Sequence, residues 1–201
     1  MLKFLAGLLS RPTTPVVYSP EDVEHAFGVS YTSWQRQTLK DIPFSNDVLK
    51  ACAGTHMLFP GFGLSLMDIH DKNADLFYSK TGGWYSAEKH VFSRVPVPLQ
   101  WHLLRTTPVP DSFRKTWDEQ QALLLPDEEM PSAATVVFAT MLHFMARRVR
   151  LFRSCCVRTS DVDFYGVRVN VGLFDAGGFV VSSDWDAGRY GDLGVSSAQK
   201  F

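Results

Sequence analysis

Residues 158–200 read RTSDVDFYGVRVNVGLFDAGGFVVSSDWDAGRYGDLGVSSAQK. Short β-prone pieces, Val157 to Asp161, Val167 to Val171 and Gly178 to Ser182, alternate here with Gly- and Asp-rich turns. That is the texture of strands joined by tight connections. The composition is also skewed. Lys, Glu, Gln and Met account for 26 of the 201 residues, yet none occurs between 159 and 198.

One genetic mechanism produces such a deficit. Randomising the adenines of an AAC (Asn) codon yields only NNC codons. These specify Phe, Ser, Tyr, Cys, Leu, Pro, His, Arg, Ile, Thr, Asn, Val, Ala, Asp and Gly, and never Lys, Glu, Gln, Met or Trp. A set of positions compatible with that origin runs through the stretch: Asp163, Tyr165, Val167, Asn170, Leu173, Gly177, Val180, Ser182, Ser183, Asp184, Ala187, Gly188, Tyr190, Gly191 and Asp192. Phe164 and Ala176 are further compatible positions.

Between these slots stands a frame: Arg158, Ser160-Asp161-Val162, Arg168, Val171-Gly172, Phe174-Asp175, Gly178, Val181, Trp185-Asp186, Arg189 and Leu193-Gly194-Val195-Ser196-Ser197-Ala198. Frame and compatible positions together resemble the variable region of proteins diversified by diversity-generating retroelements, of the type found in small-genome bacteria and archaea, and it is this resemblance that assigns the compatible positions as variable slots. The sequence departs from that pattern at Phe179, where Leu is usual, at Gln199, where Arg is usual, and in its terminal Phe201. None of these is a slot. The likeness extends upstream through Phe77-Tyr78-Ser79, Gly83-Trp84-Tyr85, Trp101, Leu104-Arg105, Pro108-Val109-Pro110, the run from Lys115 to Leu124, and Leu151-Phe152.

The resemblance implies an α+β, C-type-lectin-like fold, with two main helices, small twisted antiparallel sheets and a long irregular variable region at about 158–194. It places that domain over residues 43–201, with residues 1–42 as an N-terminal arm and helix packed on it. It implies a non-enzymatic protein whose hypervariable surface binds a protein or other macromolecular ligand, without cofactor or metal. Trp185, Phe174, Val171 and Leu193 would be buried anchors. Arg158, Arg168, Arg189, Asp161, Asp175 and Asp186 would pin loops by pairing or by bonding backbone groups. Tyr165 and Tyr190 would anchor a ligand, with Leu173 and Val180 adding apolar contact. The competing class is an enzyme, since formylglycine-generating enzymes share the fold and use a cysteine-centred copper site. The adjacent Cys155 and Cys156 do not supply the separated pair that chemistry needs. A third class is a structural or interaction subunit.

Upstream, the sequence divides into helical and strand-like pieces. Ser19-Pro20 with acids at Glu21, Asp22 and Glu24 reads as a helix start, and Gly28 as its stop. Ser45 caps a second short helix that Gly54 ends. Met57–Phe59, Leu64–Ile69, Leu76–Tyr78 and Leu99–Thr106 read as strands. Helices are expected over Ser112–Leu125 and, most strongly, over Ser132–Leu151, whose interior is AATVVFATMLHFMA and whose end carries Arg147, Arg148 and Arg150.

Net charge is −1, so a basic nucleic-acid footprint is absent. Hydrophobic residues make up 45% of the chain, enough for a core without disulfides. Cys52, Cys155 and Cys156 form neither a disulfide framework nor zinc-ligand spacing, and read as buried or free thiols in a reducing compartment. The apolar run Phe4–Leu9 falls short of a signal-peptide core, and no window approaches the roughly 18 apolar residues of a membrane span. A cytoplasmic location is therefore expected. Asp68 and His70 would share a strand face, but two residues do not make a metal site, and a solvated strand end is preferred. His143 reads as a satisfied core or boundary histidine, and Asp118 and Glu119 as helix-start acids. Cys52 and His56 could pair at helical spacing, but Gly54 intervenes and no orienting acid is evident.

Overall fold

Each helix in the computed structural model, which describes residues 13–201, starts at a Ser or Thr whose side chain accepts the backbone N–H three residues on. Ser19 opens α1 (Pro20–Phe27), Thr32 α2 (Ser33–Thr38) and Ser45 α3 (Asn46–Ala51). Ser65 opens α4 (Leu66–Lys72), Thr116 α5 (Trp117–Gln121) and Ser132 α6 (Ala133–Arg147). Asp22, Gln35, Asp68 and Glu119 each return a bond to the cap residue's own N–H, completing capping boxes. Gly28 closes α1 in the left-handed conformation, as expected. The apolar run Phe4–Leu9 lies outside the described residues.

Three expectations need correction. Leu64–Ile69 is not a strand, because Ser65 caps α4, whose Leu66, Ile69 and His70 face the core at helical spacing. Leu76–Tyr78 contributes only the end of a 3-10 turn, Ala74–Leu76, and one bridge from Phe77 to Phe179. The helix expected over Ser112–Leu125 shrinks to the five residues of α5, since Asp111 and Arg114 adopt positive φ ahead of the Thr116 cap. Among the described residues there is thus one long helix, α6, and the next in length is α1 at eight residues. Helix α6 itself ends at Arg147 because Arg148 turns left-handed.

The strands form two small sheets. The first runs β1 (Val16–Val17), β2 (His56–Pro60), β3 (Trp101–Arg105), β9 (Ala198–Gln199), β4 (Glu128–Glu129) in spatial order. The second runs β7 (Gly178–Asp184), β6 (Arg168–Asp175), β5 (Cys156–Val162), β8 (Leu193–Val195). The variable region is therefore mostly regular sheet, not the long irregular segment expected. Its irregular parts are residues 163–167, the two-residue turn 176–177 and residues 185–192. Pairing is antiparallel except between β1 and β2 and between β5 and β8.

Helix α6 is buried from Ala133 to Phe144, as its all-round apolar sequence requires. Phe138 packs on Phe59 of β2 and on Phe27 of α1, while Phe144 meets Phe174 of β6. One helix thus joins both sheets and the N-terminal helix in a single core. Trp101 Nε1 donates to Leu39 O, and Tyr18 Oη lies 2.7 Å from His143 Nδ1, so residues 13–42 are knitted into the same core. His143 is a satisfied boundary histidine.

Buried histidines make this core acid-sensitive. Burial, with Arg105 adding to it, lowers His56 from 6.5 to about 4, and burial lowers His102 and His143 as well. These rings stay neutral when folded but protonate in the unfolded chain below about pH 6.5. Stability present above pH 6.5 should therefore be lost as pH falls towards 4, with His56 alone contributing on the order of 3 kcal/mol. Melting temperatures between pH 7 and 4.5 should fall steeply for the parent and less steeply for His56→Gln. Parallel curves would contradict this account.

Candidate ligand-binding surface

The register of the second sheet sorts its residues into two faces. Val157, Val169, Val171, Phe179 and Val181 turn to the core and are buried. Val180, Ser182 and Asp184 of β7 alternate with them, and Ser182 pairs directly with Asn170 of β6. On this second face lies an open cleft of about 240 Å³. Seven of its nine lining residues are slots: Asn170, Leu173, Val180, Ser182, Asp184, Tyr190 and Asp192. The other two, Cys156 and Leu193, form its floor beside Asn170, which is 1% exposed and donates from Nδ2 to Asp184 Oδ2 at 2.9 Å.

The remaining slots lie elsewhere, and two of them are not display positions. Asp163 and Val167 are buried. The Asp163 carboxylate accepts the Tyr165 and Val167 N–H groups at 2.8 and 3.0 Å, and Ser183 Oγ donates to its other oxygen at 3.3 Å. Asp163 is a turn-forming residue between β5 and β6, because a short carboxylate bonds the backbone that follows it. Tyr165 is exposed at the tip of that turn, outside the cleft, beside Phe164; Lys89 Nζ donates to its hydroxyl at 2.7 Å. Gly177 sits in the β6–β7 turn, where it donates to Asp175 Oδ1, and Ala187, Gly188 and Gly191 lie on the loop from Trp185 to Asp192.

That loop is tied down by the frame. Arg158 is fully buried, and its two terminal nitrogens donate to Lys115 O, Gln120 Oε1, Trp185 O and Gly188 O at 2.9–3.1 Å. Arg168 forks onto the Asp186 carboxylate with both contacts at 3.2 Å, donates to Ser160 O, and stacks over Trp117 at 3.7 Å. Arg189 pairs with Glu119, whose carboxyl that arginine and the Thr116 N–H hold down at about 2. Asp161 accepts the Ala133 N–H at the start of α6. Four of the six expected pinning residues thus bond to groups far along the chain. A fifth, Asp186, receives the Arg168 pair.

Trp185 departs from expectation. Its ring is 66% exposed, and only its carbonyl is held, by Arg158. The buried anchors are Phe174, Val171 and Leu193.

Glycines separate frame from slot sterically. A Cβ at Gly172 would meet Cys155 O at 2.3 Å, and one at Gly178 would meet the Phe77–Tyr78 backbone at 2.6 Å; both have positive φ. At Gly177 and Gly191 the nearest atoms are side-chain atoms at 3.2 and 3.7 Å, and at Gly188 a Cβ would meet the ring of Tyr190, itself a slot, at 2.3 Å. Frame glycines are compulsory; slot glycines are not.

A second hollow of about 250 Å³ adjoins the cleft and shares Val180 and Ser182 with it. Its far wall is Tyr78, Trp84 and Tyr85, from a segment assigned no binding role in the sequence. The family-like motifs at 77–79 and 83–85 were the available signal, but only tertiary structure brings them to β7, through Tyr78 N to Phe179 O and Trp84 Nε1 to Val181 O.

Other candidate chemistry is not assembled. All three cysteines are buried, and burial raises their thiols, Cys156 to about 12, away from the thiolate a nucleophile or copper ligand requires. Asp68 serves the α4 cap, and His70 Nε2 lies 2.9 Å from Ser79 O. No group of three or more metal-ligating side chains occurs among the described residues. Comparison with protein-family models, curated proteins and solved structures finds no match to this chain.

Arg158→Lys should destabilise the protein by about 3 kcal/mol, since one ammonium cannot reach four divergent acceptors and leaves buried carbonyls unpaired. Hydrogen exchange should quicken from Gly188 to Asp192 with little change in α1. A variant with parental melting and exchange would refute the pinning role.

Proposed function

We propose that this chain is a ligand-binding protein of the retroelement-diversified type. On this reading its slots form a hypervariable surface on a C-type-lectin-like scaffold, and it binds a protein or other macromolecule without catalysis. The observation that carries the reading is spatial. Seven of the fifteen slots line one cleft, where they make up seven of its nine lining positions, while much of the intervening frame is buried, pinned or, at Gly172 and Gly178, sterically compulsory. A β-region merely short of long side chains has no reason to sort in this way. Support for the scaffold is coarser: two small, mostly antiparallel sheets with helices packed on them. A cytoplasmic location is part of the proposal. No helix among the described residues is long and apolar enough to cross a membrane.

Two measurements test this. The genomic sequence should carry, beside a reverse transcriptase gene, a near-repeat of codons 158–200 that differs only at adenines; its absence would remove the diversification reading. Substituting Asn together at Tyr165, Ser182, Asp184, Tyr190 and Asp192 should move stability by no more than roughly 0.5 kcal/mol per site. Trp185→Ala, given its exposed ring, should be equally mild, whereas Gly178→Ala should cost several-fold more through backbone collision. A five-site variant that unfolds would show the cleft to be structural.

A further inference from the structure

We propose that this surface takes an exposed arginine side chain of a partner protein into the Asp184–Asp192 cleft. A neighbouring apolar side chain of the same segment would fill the aromatic hollow beside it. The proposal rests on the binding-surface reading above and names its ligand chemistry.

Size comes first. Pockets for drug-sized ligands run to roughly 300–1,000 Å³. Each hollow here is smaller, about 240 and 250 Å³, and the two adjoin across Val180 and Ser182. Two adjacent side chains of one segment match this shape better than one compact small molecule.

Polarity then distinguishes the halves. The cleft is rich in acceptors and holds no cationic lining residue. Asp184 uses one oxygen to accept from Asn170, and the Asp192 carboxylate has no hydrogen-bond partner among the described residues. Arg158 makes no hydrogen bond to either carboxylate, because its guanidinium is turned towards backbone carbonyls and Gln120; it acts on Asp184 only through space and leaves Asp192 without a cationic partner. A guanidinium supplies several coplanar donors, can stack on the Tyr190 ring, and carries an aliphatic stem that Leu173 and Val180 can cover. The adjoining hollow is walled by Tyr78, Trp84 and Tyr85, which favour an aliphatic or aromatic group.

The backbone excludes one alternative geometry. Strand β7 is an edge strand, but its Phe179 and Val181 carbonyls are already occupied by Tyr78 N and Trp84 Nε1. A partner strand cannot extend the sheet there, so recognition falls to side chains.

The test uses the full chain, ¹⁵N-labelled, titrated with the peptide Ac-Leu-Ser-Arg-NH2. The controls are its citrulline analogue, which keeps shape and loses charge, and Ac-Ser-Ser-Arg-NH2. Saturable shifts are expected at Ser182, Asp184, Tyr190 and Asp192, with citrulline at least about tenfold weaker. The leucine-less peptide should be roughly threefold weaker or more. Asp184→Asn with Asp192→Asn should abolish the preference for arginine over citrulline. Tyr78→Ala, at an exposed position, should abolish the advantage of leucine. Equal binding of arginine and citrulline, shifts confined to other surfaces, or no saturation up to about 10 mM peptide would overturn the proposal. A failed titration with normal melting of the five-site asparagine variant removes the arginine proposal and leaves the binding surface standing. Unfolding of that variant removes both.

Discussion

The variable half of the structure depends on one buried guanidinium. Arg158 emerges from β5 and reaches in two directions, to Lys115 O and Gln120 Oε1 around α5 and to Trp185 O and Gly188 O on the loop after β7. Taking such a charge out of water is costly, and no carboxylate contacts it directly; carbonyl dipoles provide the compensation, with Asp186 and Asp184 acting at longer range. Those acceptors are all oriented by structure formed elsewhere, so the arginine is satisfied only when sheet, helix and loop are assembled together. Gln120 couples the two sides, since its Nε2 also donates to Ser112 O and Leu193 O.

This arrangement places stability beneath the surface instead of on it. The loop from Trp185 to Asp192 is held through its backbone, by Arg158 at two carbonyls and by Asp186 O accepting from Trp117 N. Side chains at Ala187, Tyr190 and Asp192 are then free of structural duty. The exposed pair of Arg189 with Glu119 adds direction more than energy, whereas Arg168 is largely buried between Asp186 and the Trp117 ring. If the loop displays a binding surface, as proposed, the entropy of ordering its backbone has been met before a ligand arrives.

Legibility in the sequence followed the range of the interactions. Caps are local, so Ser19, Ser45 and Ser132 announced their helices correctly. Frame and slot were assigned from a family resemblance, and the structure adds where they lie, seven slots along one cleft. Direction of burial was less legible. Trp185 was read inward because large rings usually are buried, but the carbonyl, not the ring, is the anchored group. Leu64–Ile69 was read as a strand because a short apolar run fits either period, and Ser65 decides the matter only if recognised as a cap. The aromatic hollow could not be seen, since Tyr78 and Trp84 reach β7 from about a hundred residues away through two backbone contacts.

The slots are also unequal, and the inequality has a physical grading. Cleft-wall positions such as Ser182 and Asp192 carry little else. Leu173 stands at φ 45°, a conformation that costs a branched apolar residue more than Asn, Asp or Gly. Asn, the residue expected at an unmutated slot, is thus better suited to that backbone than the Leu present. Asp163 lies at the far end of the scale: its carboxylate closes the β5–β6 turn, so few replacements can keep that geometry. Slots are coupled in pairs as well, Asn170 with Asp184, Ser183 with Asp163, and Gly188 with Tyr190, whose ring occupies the space a Cβ would need. Random substitution at all these positions would therefore yield fewer folded surfaces than their independent product, and the surviving diversity would concentrate where the cleft is widest and the backbone least dependent on the side chain above it.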